Sequence, residues 1–405
     1  MVGGLTVDRH GDTRFRYDEQ WLGQPSARPI SQSLPLRPSA YMRRESLPFF
    51  EGLLPEATQR ERVAAALGVS KDNPFKLLEE LGGDVAGALS LWPEGVEPPT
   101  DIGPSPAPMT ESQLARQIGR LPECPLLAGE GKARLSLAGA QAKLPLVKAN
   151  GKLRLTAPGE ASTHILKPPI ERFEGTTENE AFVMRLAAAI GLSVAPVEIG
   201  SAEGKLFLLV ERYDRASTGG KTRRIHQEDF CQALGILSSR KYASEGGPGF
   251  RECFALVRTS ASRPAVELLK LLDAAIFNLL AGNADAHGKN YSLLYNGDET
   301  RLAPLYDLLA TIIYPGLDDR LAMKIGGKGK LEEIQARHLE RFAVSIGMTP
   351  AYVKRRAKKL SDLVKNRAPI LAAELSEEFS FADRGAFTEV GGLIEHRAQE
   401  FFDRL

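Results

Sequence analysis

The chain has 405 residues, enough for two or three packed units, and its composition of 43% hydrophobic and 25% charged residues excludes a disordered chain. A formal net charge of +1 gives no overall electrostatic reason to bind nucleic acid, so any contact with DNA is expected to come through a partner. Three widely spaced cysteines favour neither a disulfide framework nor a thiolate zinc site, and they fit a reducing cytoplasm.

The front section predicts a mixed α+β unit. Apolar residues recur at helical spacing from Leu47 to Gly68 and from Asn73 to Gly82, and Ala86 to Trp92 predicts a strand. Six prolines then crowd residues 93–108, which predicts a linker and a boundary near residue 109. The N-terminus lacks the pattern of a signal peptide, so no targeting to a membrane is expected.

The next section predicts a small β-rich unit that begins with a helix near Ser112 to Ile118. Runs of apolar and β-branched residues predict six strands, at residues 134–137, 143–148, 152–156, 163–167, 194–199 and 205–210. Asn150-Gly151 and Glu203-Gly204 predict two-residue hairpin turns. Between the hairpins, Glu178 to Ile190 predicts a helix that closes at Gly191.

Helical patterns dominate from Gln227 to the C-terminus. The most apolar stretch, Ala265 to Ala281, carries Glu267, Lys270 and Asp273 and is too short to span a bilayer, so it predicts a buried helix. A β-rich unit followed by a larger helical unit is also the layout of protein kinases.

The run from Asn283 to Asn290 (NADAHGKN) is the most informative stretch. Asp285 and Asn290 have the spacing of the kinase catalytic loop, in which the aspartate accepts the proton of the substrate hydroxyl and the asparagine holds magnesium. The usual His-Arg before the aspartate is missing here. Lys289 is a candidate to neutralise charge on the transferred phosphoryl group, and a solvated loop lysine is the alternative.

Asp307 lies in an otherwise apolar run from Leu305 to Leu309, where a carboxylate needs a partner such as a magnesium ion bridging phosphates. It is therefore a second candidate magnesium ligand beside Asn290. Taken singly, each acidic residue could equally be a capping or turn residue. Asp285, Asn290 and Asp307 in this order favour the catalytic interpretation.

A candidate phosphate loop precedes these residues. Ala138, Gly139, Ala140 and Gln141 lie between two predicted strands, where small residues let backbone N–H groups approach phosphate oxygens, although most such turns are simply tight turns. Lys167 on the following strand matches the lysine that pairs with phosphates in kinases. Its candidate partner is Glu180, with a solvated surface pair as the alternative.

The end of the last strand of the β-rich unit has the place of a kinase hinge, which offers backbone groups to adenine. The candidate nucleotide-binding residues there are Glu211, Tyr213 and Asp214, although such residues are also ordinary in linkers. Other reaction classes have less support, because His-Glu-x-x-His, Gly-x-Ser-x-Gly and complete P-loop motifs are absent from the sequence.

With these residues in view, the sequence resembles the HipA toxin kinases of bacterial toxin–antitoxin systems over nearly its whole length. The resemblance is carried by these segments: Leu47–Pro55, Gly83–Ala88, Ser136–Gln141 with Lys143, Thr163–Lys167, Glu178–Glu180, Glu211–Arg215, Gln227–Asp229, Lys241–Tyr242, Gly246–Gly249, Asp285–Asn290 and Tyr306–Asp307.

The resemblance implies an α+β, two-lobed protein-kinase-like fold. An additional N-terminal α+β subdomain (1–109) would precede a β-rich N-terminal lobe (110–214) and a helical C-terminal lobe (215–405). The family implies phosphorylation, with Mg-ATP, of a serine on a translation factor, typically an aminoacyl-tRNA synthetase, which halts growth. It also implies a helix-turn-helix antitoxin of HipB type that binds the kinase and DNA together, so that DNA is contacted only indirectly, and no membrane.

By motif, Asp285 would be the base, Asn290 and Asp307 the magnesium ligands, and Lys167 the phosphate-binding lysine. Ser136 would be the loop serine whose autophosphorylation turns the phosphate loop out and silences the enzyme. Two departures from the family pattern remove no catalytic group. Ala142 stands where relatives often have Glu, and the chain starts late, so a first N-terminal strand is expected to be missing.

Two rival functions remain at this point. Related folds phosphorylate small molecules with similar metal residues, so a small-molecule kinase is one alternative. A nucleotide-binding corepressor without turnover is the other, and the joint presence of Asp285, Asn290, Asp307 and Lys167 argues against it. The run from Gly326 to Lys330 predicts a mobile basic loop in the region where kinases bind their substrates.

Overall fold

A three-stranded antiparallel sheet and four helices form the front of the chain. The computed structural model describes residues 1–99, 104–129, 134–218 and 221–405. The front elements are β1 (Gly3–Val7), β2 (Thr13–Tyr17), α1 (Glu19–Leu22), β3 (Tyr41–Met42), α2 (Arg43–Glu51), α3 (Ala57–Leu67) and α4 (Pro74–Leu81). Phe15 and Tyr17 point inward from β2 and pack against Phe50 and Tyr41, so this unit has a core of its own.

The strand predicted at Ala86 to Trp92 is wrong, and so is the strand predicted at residues 134–137. Neither segment belongs to a strand within the described residues, and Leu135 forms an isolated parallel bridge with Asp84, just before the first segment. Gly87 has a φ of +83° and its N–H donates to Asp214 Oδ2, so the segment gives a backbone donor to a distant side chain instead of a β-ladder. Strands β1 and β2 were not predicted from the sequence, although the alternation of buried and exposed residues in β2 is a usable signal.

A five-stranded antiparallel sheet with the order β5-β4-β6-β8-β7 forms the middle of the chain. The elements are α5 (Glu111–Arg120), β4 (Leu144–Ala149), β5 (Lys152–Arg154), β6 (His164–Lys167), α6 (Thr176–Ala189), β7 (Val197–Ala202) and β8 (Lys205–Glu211). Both predicted hairpin turns are confirmed, since Asn150-Gly151 and Glu203-Gly204 each have positive φ at both residues. The proline-rich stretch has neither helix nor strand at residues 93–99 and 104–109. The domain boundaries at residues 109 and 214 stay predictions.

Helices dominate the remainder, as predicted. The elements are β9 (Arg215–Thr218), β10 (Lys221–Arg224), β11 (His226–Asp229), α7 (Phe230–Ala233), α8 (Phe250–Ser260), α9 (Pro264–Ala281), β12 (Ser292–Asn296), β13 (Glu299–Leu302), α10 (Ala336–Ser345), α11 (Pro350–Glu378) and α12 (Arg384–Asp403). Residues 271–281 of α9 are all buried, which confirms the predicted buried helix.

Neither α9 nor any other helix within the described ranges combines the length and hydropathy that crossing a bilayer requires. The three cysteines, Cys124, Cys231 and Cys253, are free thiols in the structure.

Candidate active site

Lys167, the last residue of β6, lies between two carboxylates. Its Nζ is 2.6 Å from Glu180 Oε1 on α6 and also pairs with Asp307. Lys167 is 5% exposed and Glu180 2% exposed, so the alternative of a solvated surface pair is excluded. Burial acts to lower the pKa of Lys167, but Asp307 and Glu180 outweigh it and raise the pKa above its ordinary value.

Asp307 has an unusual backbone conformation, with φ at +53°. Positive φ is uncommon for a residue other than glycine and is often found at functional sites, where the surroundings hold it. Burial acts to raise the pKa of Asp307, but Lys167 and Lys143 hold it well below the ordinary value. Asp307 is therefore an ionised carboxylate at the edge of the cleft, as a ligand for a cation requires.

The catalytic-loop candidate begins where α9 ends at Gly282, which has a φ of +71°. Asp285 is exposed, whereas residues 281–284 and 286–289 are buried. Asn283 holds the loop together, because its Oδ1 accepts a hydrogen bond from the Asp285 N–H (3.2 Å) and its Nδ2 donates to Asn278 Oδ1 (2.9 Å). Asn283 Nδ2 also lies 3.4 Å from the carbonyl oxygen of Asp307, so it connects the loop to the second acidic residue.

The oxygens of Asn290 and Asp307 fit a magnesium ion. Asn290 Oδ1 is buried and has no hydrogen-bond donor in the described part of the chain, and a buried oxygen of this kind needs a partner. The described residues contain no group of three or more His, Cys, Asp or Glu able to hold a metal alone. Mg²⁺ is ordinarily held by one or two protein oxygens together with phosphates and water, so the unpartnered Asn290 Oδ1 suits an ion that binds with a nucleotide.

Lys289 is not a solvated loop lysine. Its Nζ lies 2.6 Å from Asp229 Oδ2 and 3.6 Å from Glu56 Oε1, and the residue is 7% exposed. Two carboxylates already neutralise its charge, and its action on a moving phosphoryl group stays a prediction. The neighbouring His287 is neutral near pH 7, because burial, assisted by Lys241, lowers its pKa to about 4.

The phosphate-loop candidate is held from two sides. Lys143 Nζ donates to the carbonyl oxygen of Ala138 (2.6 Å) from within, and burial lowers the pKa of Lys143. Gly139 has a φ of +117°, a backbone conformation that residues with a Cβ rarely adopt, so the loop favours glycine there. Gln141 Nε2 donates to Pro168 O (3.1 Å). Ala140 completes the small-residue turn.

Ser136 lies beneath this loop and is fully buried. Its Oγ donates to Leu53 O (2.7 Å) and its N–H donates to Asp84 O (3.0 Å), both in the front unit. The hydroxyl is therefore shielded from solvent and engaged with Leu53 O while the loop keeps this position.

The hinge candidates differ in their surroundings. Glu211 is exposed at the end of β8, and its N–H donates to Pro196 O (2.9 Å). Tyr213 stacks on Tyr306 with ring centroids 5.5 Å apart. The carboxylate of Asp214 is occupied by other groups, and its carbonyl oxygen accepts hydrogen bonds from Ile225 N–H (2.8 Å) and Arg215 Nη1 (2.9 Å).

Asp214 accepts hydrogen bonds from Arg212 Nε and Nη2 (2.9 and 2.8 Å) and from Gly87 N–H (2.7 Å). Burial acts to raise the pKa of Asp214, but Arg212 and Arg215 lower it to about 2. Arg212 and Arg215 also form ion pairs with Asp84 of the front unit. These ion pairs join the hinge segment to that unit.

The basic loop from Gly326 to Lys330 forms a tight turn closed by the bridge between Ile325 and Lys328. Lys330 Nζ lies 2.6 Å from Asp319 Oδ2. Its predicted mobility and its contact with substrates stay predictions.

Two residues that contact the site had no role predicted from the sequence. Tyr242 Oη donates to Asp285 Oδ1 (2.6 Å), and Glu56 lies between Lys241 and Lys289. Lys241-Tyr242 stood out in the sequence as part of the family resemblance, whereas Glu56 carried no local signal.

Two family models match the chain: "HipA N-terminal domain" over residues 1–92 and "HipA-like C-terminal domain" over residues 135–368. The chain belongs to the HipA family. A relative from Sinorhizobium fredii named "Putative kinase Y4mE" is 55% identical over 93% of this chain and 90% of its own length. "Serine/threonine-protein kinase toxin HipA" of Shewanella oneidensis is 36% identical over 86% of this chain and 82% of its own length.

A solved structure from Shewanella oneidensis is similar over the whole chain. It is described as the toxin–antitoxin system HipA, HipB and its operator DNA complex, and it matches with a TM-score of 0.82 at 28% identity, covering 100% of this chain and 97% of that one. The prediction of a two-lobed, kinase-like α+β fold and the resemblance to the HipA family are both confirmed.

Proposed function

We propose that this HipA-family chain is a serine/threonine protein kinase toxin that transfers the γ-phosphoryl group of Mg-ATP to a protein serine. One observation carries the proposal: a buried Lys167 lies between Glu180 and Asp307, and Asn283 joins Asp307 to the loop that bears Asp285 and Asn290. Kinases need this set of groups together for positioning and charge stabilisation.

Each group has a separate task in the transfer. Lys167 and the backbone N–H groups of residues 138–141 hold the phosphates, and the backbone near Glu211 and Tyr213 faces adenine. Asn290 and Asp307 would hold magnesium, which would neutralise charge on the phosphates. Asp285 orients the serine hydroxyl and takes its proton, while the serine oxygen bonds to Pγ and the bond from Pγ to the oxygen of ADP breaks.

The burial of Ser136 supports regulation by autophosphorylation. A phosphoserine carries a charge of about −1.5 to −2 near neutral pH and brings only acceptor oxygens. That group cannot remain beside the carbonyl oxygen of Leu53, which the Ser136 hydroxyl now contacts as a donor. Phosphorylation therefore requires the loop to open first and then prevents its return, which silences the enzyme.

The partners are argued from relatives. A HipB-type antitoxin that also binds DNA is supported by the solved complex of the Shewanella oneidensis proteins with operator DNA. DNA would then be reached through the antitoxin. An aminoacyl-tRNA synthetase as the phosphorylated protein rests on the family resemblance alone.

Intact-mass measurement tests the proposal directly. Purified protein is incubated with Mg-ATP beside the Asp285→Asn and Ser136→Ala variants. We expect the wild type to gain one phosphate and both variants to gain none, because the first lacks the base and the second lacks the acceptor. Ser136→Ala should still phosphorylate added protein substrates.

Absence of phosphate in every sample, with nucleotide binding confirmed by calorimetry, would contradict autophosphorylation. In that event, phosphate found on a metabolite would favour a small-molecule kinase. Nucleotide binding with no transfer to any acceptor would favour a corepressor without turnover.

A further inference from the structure

The segment that carries Lys241 and Tyr242 has no task in the transfer described above, yet it contacts both the front unit and the candidate base. Lys241 Nζ lies 2.8 Å from Glu56 Oε2 of the front unit. The next residue, Tyr242, donates its hydroxyl hydrogen to Asp285 Oδ1 at 2.6 Å. Two successive side chains therefore connect the front unit to the candidate base.

Glu56 contacts both the phosphate loop and the catalytic loop. Its N–H donates to Gly139 O (3.1 Å), and the preceding Pro55 forms a parallel bridge with Gly139. Its carboxylate lies between Lys241 and Lys289 and is 12% exposed. Burial acts to raise the pKa of Glu56, but the two lysines lower it, so the group is ionised as these contacts require.

Tyr242 fixes one of the two oxygens of Asp285. Its ring lies edge-on to His287, with centroids 5.1 Å apart and an angle of 78°, which orients the hydroxyl. Within the described part of the chain, Asp285 Oδ2 accepts no hydrogen bond, and this oxygen is exposed with the rest of the side chain. A carboxylate held through Oδ1 presents Oδ2 to an incoming hydroxyl in one orientation.

We infer that Tyr242 is a positioning residue for Asp285. Lys241 and Glu56 hold Tyr242, and through it Asp285, in a fixed position relative to the phosphate loop. The inference rests on the proposed function, because it concerns the geometry between the nucleotide phosphates and the base. The phosphate loop and the catalytic loop come from different lobes, and Glu56 is a single residue of a third unit that contacts both.

A kinetic comparison tests the role of Tyr242. Tyr242→Phe keeps the ring and removes only the hydroxyl, and Tyr352→Phe on α11 is the matched control. With Mg-ATP and dephosphorylated casein as serine acceptor, we expect kcat of Tyr242→Phe to fall about 10- to 100-fold while KM for ATP stays within about twofold. A change of kcat below about twofold in Tyr242→Phe would overturn the inference.

The link through Lys241 has its own variants. Lys241→Met should lower kcat as Tyr242→Phe does, and the double variant should be no slower than either single one, because all remove the same constraint. Lys241→Arg keeps the charge and should recover most of the rate lost in Lys241→Met. Additive losses in the double variant would contradict the link.

Hydrogen exchange tests the coupling without any acceptor. Glu56→Gln should raise amide exchange together in residues 239–247 and 283–290, whereas Glu61→Gln, the same change on the exposed face of α3, should not. Unchanged exchange in both segments would overturn the coupling. A wild-type protein that transfers no phosphate would contradict the proposed function instead, and the exchange experiment would still decide the coupling.

Discussion

Lys167 holds a positive charge where little water reaches it. Removing a lysine from water is costly, and the ion stays charged because Glu180 and Asp307 both contact it. The arrangement is also necessary for the two carboxylates, since burial raises the pKa of Glu180 and Asp307 adds to that rise. One ammonium group therefore pairs with both acids.

We predict that Lys167→Met destabilises the protein by about 3 to 5 kcal/mol, because two carboxylates lose their cation. Urea denaturation at neutral pH measures the change. The matched control is Lys148→Met on β4, where the lysine pairs with Glu198, whose side chain is 60% exposed. That change should cost less than about 1 kcal/mol. Equal losses in the two variants would contradict this account of Lys167.

The two β-hairpins show how one backbone geometry is met by different residues. Asn150-Gly151 and Glu203-Gly204 are both two-residue turns with positive φ, and Asn is one of the residues favoured at the first position. Glu203 has a φ of +45° without that advantage. Gly151 and Gly204 make both turns predictable from the sequence, because the requirement for positive φ is local.

The comparison predicts that Glu203→Asn stabilises the protein by about 0.5 to 1 kcal/mol, since a side chain that accepts the left-handed region replaces one that does not. The reciprocal change, Asn150→Glu, should destabilise it by a similar amount. Both are read from urea denaturation midpoints at constant m-value. Shifts in the same direction for the two variants would show that backbone strain does not decide these turns.

Buried polar contacts join the front unit to the rest of the molecule. Glu228 on β11 is 1% exposed and accepts hydrogen bonds from Ser31 Oγ, the Gln32 N–H and Tyr295 Oη. Asp84 makes a comparable junction with the hinge arginines. These contacts fix the position of the unit that supplies Leu53, Pro55 and Glu56 to the phosphate loop.

Glu228 predicts a pH dependence of stability. Burial raises its pKa to about 7 from an ordinary value of 4.5. The folded state therefore binds more protons at Glu228 than the unfolded chain between these values, so the contribution of Glu228 to stability is greatest below pH 4.5 and is lost as the pH rises through 7. The full difference is about 3 kcal/mol.

We expect Glu228→Gln to remove this decline, so that the free energy of unfolding of the wild type minus that of the variant decreases from pH 5 to pH 8. Urea denaturation at pH 5, 6, 7 and 8 measures it. Glu198→Gln, on an exposed strand position, is the control and should follow the wild type. Parallel curves for wild type and Glu228→Gln would exclude Glu228 as the source.

The sequence by itself determined α5, α6 and β4 to β8 of the middle unit, both hairpin turns, the buried helix α9 and the order of Asp285, Asn290 and Asp307. These features depend on residues close together in the chain, through periodicity, turn chemistry and loop spacing. Two predicted strands failed, at residues 86–92 and 134–137, because their backbone groups bond to distant partners instead of a neighbouring strand.

Only the tertiary structure decided which charges meet. Lys167 pairs with Asp307 across 140 residues and Lys241 with Glu56 across 185, while Ser136 is buried under the front unit. A charged side chain has the same sequence signature whether it is solvated or buried in a pair. Its partner is set when distant parts of the chain pack together, and no local pattern records that contact.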